Sequence, residues 1–250
     1  MVPGEWRSDG LHDVVVGRHQ PPASSYVREF MEYFAWRYRF APLGMGTRIV
    51  ALAAAHHRLN YIHPFPDGNG RLSRLMSHAM AHEAGIGAHG IWSISRGLAR
   101  GLADRTDYKR MMDFADTPRE SDRDGRGNLS QRALTEFILW FLHVCTDQVK
   151  FMSGLFELSQ LTRRLRLYAE NNAGLGPDVG RLLEEAALRG EFERGDVAKI
   201  LGKPERSARR VLVNAIDAGL LASDSPKGPV SVRFTMESAE LLFPRLFSVN

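Results

Sequence analysis

The stretch His63-Pro64-Phe65-Pro66-Asp67-Gly68-Asn69-Gly70-Arg71-Leu72-Ser73-Arg74 decides how the rest of the 250-residue chain is read. A loop rich in glycine and proline, His63 to Gly70, passes into a helix that begins near Asn69 and runs to about Ala84. Leu72, Leu75, Met76, Ala79 and Met80 form the apolar face of that helix. Glycines in such a loop can take positive φ and bring main-chain amides close to a ligand. The amides at a helix N-terminus, together with its dipole, form an anion site. Asn69 adds a side-chain donor. Arg71 and Arg74 sit three apart on one helix face, and guanidinium geometry suits phosphate oxygens. Asp67, at the loop mouth, is a hard oxygen ligand of the kind Mg²⁺ takes together with substrate phosphates. His63 is the nearby group that titrates close to neutrality and so the natural general base for a hydroxyl nucleophile. Taken singly, each residue has a plain structural explanation. It is their combination within one short segment that points to phosphate chemistry.

Around this segment the pattern is helical. Trp6 to Gln20 reads as a short hairpin, with Asp13-Val14-Val15-Val16-Gly17 as a β-branched arm that Pro21-Pro22 stops. Apolar spacing predicts helices from about Tyr26 to Phe40, Thr47 to Tyr61 and Ser95 to Ala115. Pro118 to Asn128 reads as a loop, and a long helical stretch then runs from about Leu129 to Glu170. Asn171-Asn172-Ala173-Gly174-Leu175-Gly176-Pro177 is the best linker in the chain. Beyond it come three short helices, Gly180 to Leu188, Arg194 to Gly202 and Pro204 to Ala218. A turn at Ser225 to Pro229 and an alternating Val230 to Phe234 follow, the layout of a winged helix-turn-helix. The expected architecture is mainly α: a helical domain over 1–172 with a small β-hairpin flap at about 6–20 and the active-site loop at 63–74, then a winged helix domain over 177–250.

Composition excludes several classes. With one cysteine, Cys145, the chain has neither an intramolecular disulfide framework nor a cysteine-based zinc site. The longest apolar run, Ile49 to Ala55, is far short of the ~20 residues of a membrane span. The N-terminus has no apolar signal core, so a cytoplasmic setting is expected. Asp122-Arg123-Asp124-Gly125 hints at a calcium loop but lacks the closing Glu, Ala133 standing in its place. The net charge is +4. Lys/Arg and Asp/Glu balance at 11 each from Gly176 to Asn250, so the excess lies in the half that carries the loop. A polyanionic nucleotide fits that distribution better than DNA does. Still, the cluster Lys199, Lys203, Arg206, Arg209 and Arg210 keeps DNA open as a minor partner beside protein docking.

The segment 63–74 resembles the signature of the Fic (filamentation induced by cAMP) family, His-x-Phe-x-Asp/Glu-Gly-Asn-Gly-Arg-x-x-Arg, at every specified position. The resemblance extends over roughly residues 4 to 170. Gly4-Glu5-Trp6-Arg7, Val14 to Gly17 and Pro21-Pro22 look like the family's flap, His56 stands where members often have a histidine, and Tyr108 resembles the first of a Tyr-Tyr pair whose second member is here Lys109. The resemblance implies protein AMPylation, an adenylyltransferase (nucleotidyltransferase) activity with ATP as substrate and Mg²⁺ as cofactor. His63 would deprotonate a Ser, Thr or Tyr hydroxyl of a target protein or of the chain itself, and Asp67 would hold Mg²⁺. Gly68, Asn69, Gly70, Arg71, Arg74 and Tyr108 would bind the nucleotide. Val14, Val15, Val16 and Gly17 would dock the target as an added strand. Many members carry an inhibitory Ser/Thr-x-x-x-Glu-Gly/Asn helix. Ser25 to Glu29 and Ser153 to Glu157 share the first spacing but are followed by Phe30 and Leu158, so Arg74 is expected to be unrestrained. A phosphotransferase, a de-AMPylase and a nucleotide-sensing transcriptional regulator remain the alternatives, and a homodimer stays open.

Overall fold

A computed structural model of the chain describes residues 4–8, 13–87, 92–125 and 127–246. It is mainly helical and divides into two compact units, Met1–Lys150 and Phe151–Asn250.

The first unit is built around α2 (Met45–Ile62), whose alanine-rich sequence lets neighbours approach closely. Ala51, Leu52, Ala53, Ala55, Leu59 and Ile62 are buried along it, as are His56 and His57. Against it pack α1 (Val27–Arg37), which follows a short 3₁₀ turn at Ser24–Tyr26, and α3 (Asn69–Glu83). The long α6 (Gln131–Leu155) brings Phe137 and Phe141 to the rings of His57 and His56, at centroid distances of 5.5 and 5.2 Å. The expected helix from Ser95 to Ala115 is in fact two, α4 (Ile94–Arg100) and α5 (Asp107–Ala115). Gly101 separates them at φ +72, where a Cβ would lie 1.9 Å from the Asp104 carbonyl oxygen, so no other residue fits this turn. Asp107 then accepts the N–H groups of Leu102 and Ala103 at 3.0 and 2.7 Å. Of the flap, residues 9–12 lie outside the described residues. What is seen is a tight turn in which Val16 and His19 exchange both backbone hydrogen bonds at 3.0 Å. Gly17, at φ +63, takes its first central position.

The stretch expected as one long helix from Leu129 to Glu170 is broken as well. α6 ends at Leu155, and α7 (Leu158–Asn171) starts under its own cap, the Glu157 carboxylate accepting the N–H groups of Ser159 and Gln160 at 3.1 and 2.9 Å. The segment read as an interdomain linker, Asn171–Pro177, is a turn inside the second unit. It joins α7 to α8 (Pro177–Arg189), and the helices close tightly where Gly180 has no side chain: a Cβ there would sit 3.3 Å from Cα of Arg166. The unit continues through β1 (Glu191–Phe192), α9 (Val197–Leu201), α10 (Glu205–Asp217), β2 (Leu221–Ala222), β3 (Val230–Val232) and α11 (Met236–Leu242). The strands form an antiparallel sheet in the order β1-β3-β2, with Phe192 opposite Val230 and Leu221 opposite Val232. α11 has no counterpart in the sequence reading. Thr235 and Ser238 cap it reciprocally, and it buries Ala239 and Leu242.

Candidate active site

The site begins where α2 stops. His63 is left-handed at φ 51, ψ 57, a conformation that costs a residue with a Cβ about 1–2 kcal/mol. Its N–H still completes the last helical bond, to Leu59 O at 3.0 Å. The turn is held from beneath by Arg7, a residue that the sequence offered only as part of the flap. Its Nε donates to His63 O at 2.7 Å and its Nη2 to Ile62 O at 3.0 Å and to Pro22 O. Its own backbone N–H bonds Pro64 O at 2.9 Å.

From His63 the chain crosses to α3. Asn69, buried, braces the crossing: its Oδ1 accepts Phe65 N–H at 2.9 Å and its Nδ2 donates to Phe65 O at 2.7 Å. Both side-chain functions are thus engaged within the loop. The carboxamide that the motif offers as a donor is engaged with Phe65, and the main-chain N–H of Asn69 stands at the start of the helix. Gly68 is the helix N-cap at φ +86, and among the described residues no side chain caps α3. The first helical bond runs from Leu72 N–H to Gly68 O, 2.9 Å. The amides of Asn69, Gly70 and Arg71 therefore stand at an open, positive helix end.

His63 and Gly70 face a cavity of about 440 Å³. The flap turn from Val16 to His19 supplies one wall, and α5 supplies another through Tyr108, Lys109, Met112 and Asp113. His63 Nδ1 lies 3.4 Å from Asn60 O, a long contact that favours the proton on Nδ1 and leaves Nε2 as the basic nitrogen. Burial, with help from the charges of His19 and Arg7, keeps this histidine below its ordinary pKa, so it is neutral and able to accept a proton at pH 7. Tyr108 lies in the wall with its hydroxyl donating to Nε2 of the buried His56 at 2.9 Å. His56 Nδ1 donates to Ser77 Oγ at 2.8 Å, and Ser77 donates to Ser73 O at 2.8 Å. Burial pushes His56 down to about 3 and the Tyr108 phenol up to about 12, so this chain stays uncharged.

A second network ties the flap to the helices. Asp116, just beyond α5, binds His19 Nδ1 at 2.8 Å and His57 Nε2 at 3.0 Å, while His19 Nε2 donates to Tyr61 O at 2.9 Å. Burial works against ionisation of both partners. The hydrogen bonds and mutual charge prevail, raising His19 and holding Asp116 well below the usual carboxylate range.

The remaining predicted residues are peripheral to the cavity. Asp67 and Arg71 are exposed, 3.6 Å apart, and Asp67 Oδ1 also accepts Gly68 N–H at 2.6 Å. Among the described residues no group of three or more His, Cys, Asp or Glu is arranged to hold a metal ion. One exposed carboxylate beside an open helix N-terminus nevertheless fits Mg²⁺, which takes most of its remaining ligands from water and phosphate. Among the described residues no carboxylate pairs with Arg74. Glu157, one of the two inhibitory candidates, is spent on capping α7, and Glu29 is exposed on α1. Of the flap residues, Val16 and Gly17 line the cavity, Val14 is half-buried and Val15 points to solvent. Cys145 lies on α6, its thiol pushed up to about 12 by burial, which is the behaviour of a small hydrophobe.

The loop thus presents a neutral imidazole and an open helix end to one cavity. The Fic/DOC family model matches residues 2–81, the span from the flap through this loop. Two proteins named "Protein adenylyltransferase Fic" are similar over about a third of the chain. The protein from Aedes aegypti is 35% identical over 82 residues, 33% of this chain and 16% of that protein. The protein from Nematostella vectensis is 39% identical over 84 residues, 33% of this chain and 19% of that protein. The chain thus spans less than a fifth of these relatives. A solved Fic family protein from Desulfovibrio desulfuricans G20 aligns over 93% of this chain and 63% of its own, with a TM-score of 0.42 and 19% identity. No described helix is long and apolar enough to cross a membrane.

Proposed function

We propose that the first unit transfers AMP from ATP to a hydroxyl group of a protein. The observation that carries this reading is the convergence of His63 and Gly70 on one cavity, with the uncapped end of α3 behind Gly70. The triphosphate would lie along the amides of Asn69, Gly70 and Arg71, with Arg71 and Arg74 as charge-assisted donors, and the nucleoside would enter the cavity beside Tyr108. His63 Nε2 takes the proton of an incoming Ser, Thr or Tyr hydroxyl as that oxygen attacks the α-phosphorus and pyrophosphate leaves. The flap turn would hold the segment that bears the hydroxyl. Asp67 would hold Mg²⁺, which when bound neutralises phosphate charge. Positioning and electrostatics are the main requirements of such a transfer, and rigid amides and guanidinium groups supply both. Incubation with α-³²P-ATP and γ-³²P-ATP in parallel tests the reading. Protein-bound α-label that His63→Ala abolishes is expected, whereas γ-label alone makes the site a phosphotransferase and refutes it.

A separate observation supports a reading of the second unit. The order α8-β1-α9-α10-β2-β3, with β3 central in the sheet, fits a winged helix-turn-helix whose recognition helix is α10. Arg206, Arg209 and Arg210 are exposed on it, and the carboxylates that do form ion pairs in this unit are engaged elsewhere: Glu184 with Arg166, Glu185 with Arg189, Asp178 with Lys203 and Asp224 with Arg233. These exposed arginines on one helix support duplex DNA as a partner. A mobility shift of the full chain on duplex DNA that weakens steeply with salt, and is lost in an Arg206→Ala/Arg209→Ala/Arg210→Ala triple variant, is the expected result. No shift at low salt overturns this reading.

A further inference from the structure

We propose that Arg7 is a positioning residue for His63, fixing from below the left-handed turn that delivers the imidazole to the cavity. This rests on the reading of His63 as the base of the transfer. Arg7 is 2% exposed and one of the largest fully buried side chains of the protein. Its ion-pair partner Asp13 lies at 3.1 Å with its side chain 52% exposed, so neutralising that carboxylate is a weak reason to bury a guanidinium.

The stronger reason is at the other end of the fork. The last carbonyls of a helix lack partners within it. At the end of α2, Ile62 O and His63 O are both taken by Arg7, which also holds Pro22 O beyond the flap. The positive charge sits at the negative pole of α2. A planar group with donors on three nitrogens reaches carbonyls pointing in different directions, which a lysine ammonium on a single stem cannot do. Two consecutive carbonyl directions, together with the Arg7 N–H to Pro64 O bond, over-determine the peptide planes on both sides of His63. That is what a backbone held at φ 51 requires. Asp13 adds a second tie, accepting Ser24 N–H at 2.9 Å, so the segment after the flap and the turn that carries the base hang on one side chain. The positive charge of Arg7 also reaches the imidazole. With that of His19 it opposes protonation, against the Asn60 carbonyl and Asp67.

Arg7→Gln and Arg7→Lys separate positioning from mere core filling. In Arg7→Gln, kcat for α-label transfer falls about 100-fold, the scale of a small misplacement of a reacting group, while KM for ATP is unchanged because the helix end that binds phosphate does not touch Arg7. The His63 Cε1–H resonance, assigned by its absence in His63→Ala, titrates at higher pH than in the parent protein. In Arg7→Lys, which keeps the charge and loses the fork, the rate falls while the His63 titration stays near that of the parent. An unchanged rate in both variants overturns the proposal. So does a joint loss of kcat and ATP affinity with no movement of the His63 titration, and so does failure of both variants to fold, which would make Arg7 a staple of the core. If the parent protein transfers no α-label, the AMP-transfer reading fails by itself. The His63 titration and line shape in the two variants then still decide whether Arg7 sets the base.

Discussion

Replacing Asn69 distinguishes a loop brace from a ligand donor. The residue is 2% exposed, and its carboxamide makes two short hydrogen bonds, at 2.9 and 2.7 Å, to the N–H and the C=O of Phe65. Asn69→Ala removes both. Each is worth about 1 kcal/mol net, and stranding the half-buried Phe65 groups adds roughly 1–2 kcal/mol, for a total near 3–4 kcal/mol. Asn69→Asp keeps the acceptor for Phe65 N–H but sets a second carboxylate oxygen against Phe65 O. It should lose about half as much at mildly acid pH, where the added carboxyl can be protonated and donate, and more at pH 8. All four tryptophans, Trp6, Trp36, Trp92 and Trp140, precede residue 150, so intrinsic fluorescence during urea unfolding reports the first unit without mixing in the second. At a typical slope of about 2 kcal/mol per M urea, the midpoint of Asn69→Ala moves down by about 1.5–2 M. An unchanged midpoint accompanied by a large loss of ATP affinity would refute the reasoning and return the Asn69 carboxamide to the ligand.

Three further outcomes follow from the same geometry. His63→Gly abolishes α-label transfer yet raises the urea midpoint, since glycine takes φ 51 without the ~1–2 kcal/mol cost; a lowered midpoint would show that the imidazole contributes more to the fold than its backbone strain removes. The His19–Asp116 contact gives a stability difference between the parent and Asp116→Asn that depends on pH. His19 is raised above its ordinary 6.5, so its contribution is fully present below about 6.5 and fades as pH climbs through the higher folded value. Asp116 is lowered, so its contribution holds above its ordinary 3.8 and fades in stronger acid. Urea midpoints should therefore differ more at pH 5.5 than at pH 9, and equal differences at the two pH values would contradict the assignment. Asp67→Ala raises the Mg²⁺ concentration needed for half-maximal transfer and leaves the urea midpoint within about 0.5 kcal/mol of the parent, because the exposed Asp67–Arg71 pair is a surface ion pair. A magnesium titration that superimposes on that of the parent would exclude Asp67 from metal binding.

What could be read from the sequence and what could not divide along a physical line. The groups of the proposed site are local: His63, Asp67, the glycines and the arginines fall within one segment, so the loop from His63 to Arg74 stands out by residue type alone. The groups that aim this loop are not local. Arg7 reaches its carbonyls across 55 and 56 positions, His56 meets Tyr108 across 52, and His57 meets Asp116 across 59. Moreover, a carbonyl acceptor leaves no trace in a sequence, because every residue has one. Arg7 therefore looks like any surface arginine until the turn at His63 is seen. The missed helix breaks have a different cause. Apolar periodicity runs straight through Gly101 and Glu157, and the signals against it, a glycine at positive φ and a carboxylate capping two amides, are single residues easily outweighed by a long pattern. The linker misread at Asn171–Pro177 is the converse case: a glycine-rich stretch looks like a boundary, yet Gly180 just beyond it lets α8 close on α7.

Asn69 sharpens the distinction. It stands inside the motif, where residue type suggests contact with the ligand, and its side chain is occupied with the posture of the loop. The same holds one step removed for Arg7, which lies outside the motif and hydrogen-bonds to backbone carbonyls and to Asp13. In the proposed reading the loop binds phosphate through main-chain amides, so its precision lies in backbone dihedrals, and dihedrals are set by whichever side chains hold the carbonyls and N–H groups in place. Substitutions that misplace the amides or the base should therefore cost rate as heavily as loss of a group that touches the nucleotide, Asn69 on the side of the amides and Arg7 on the side of His63.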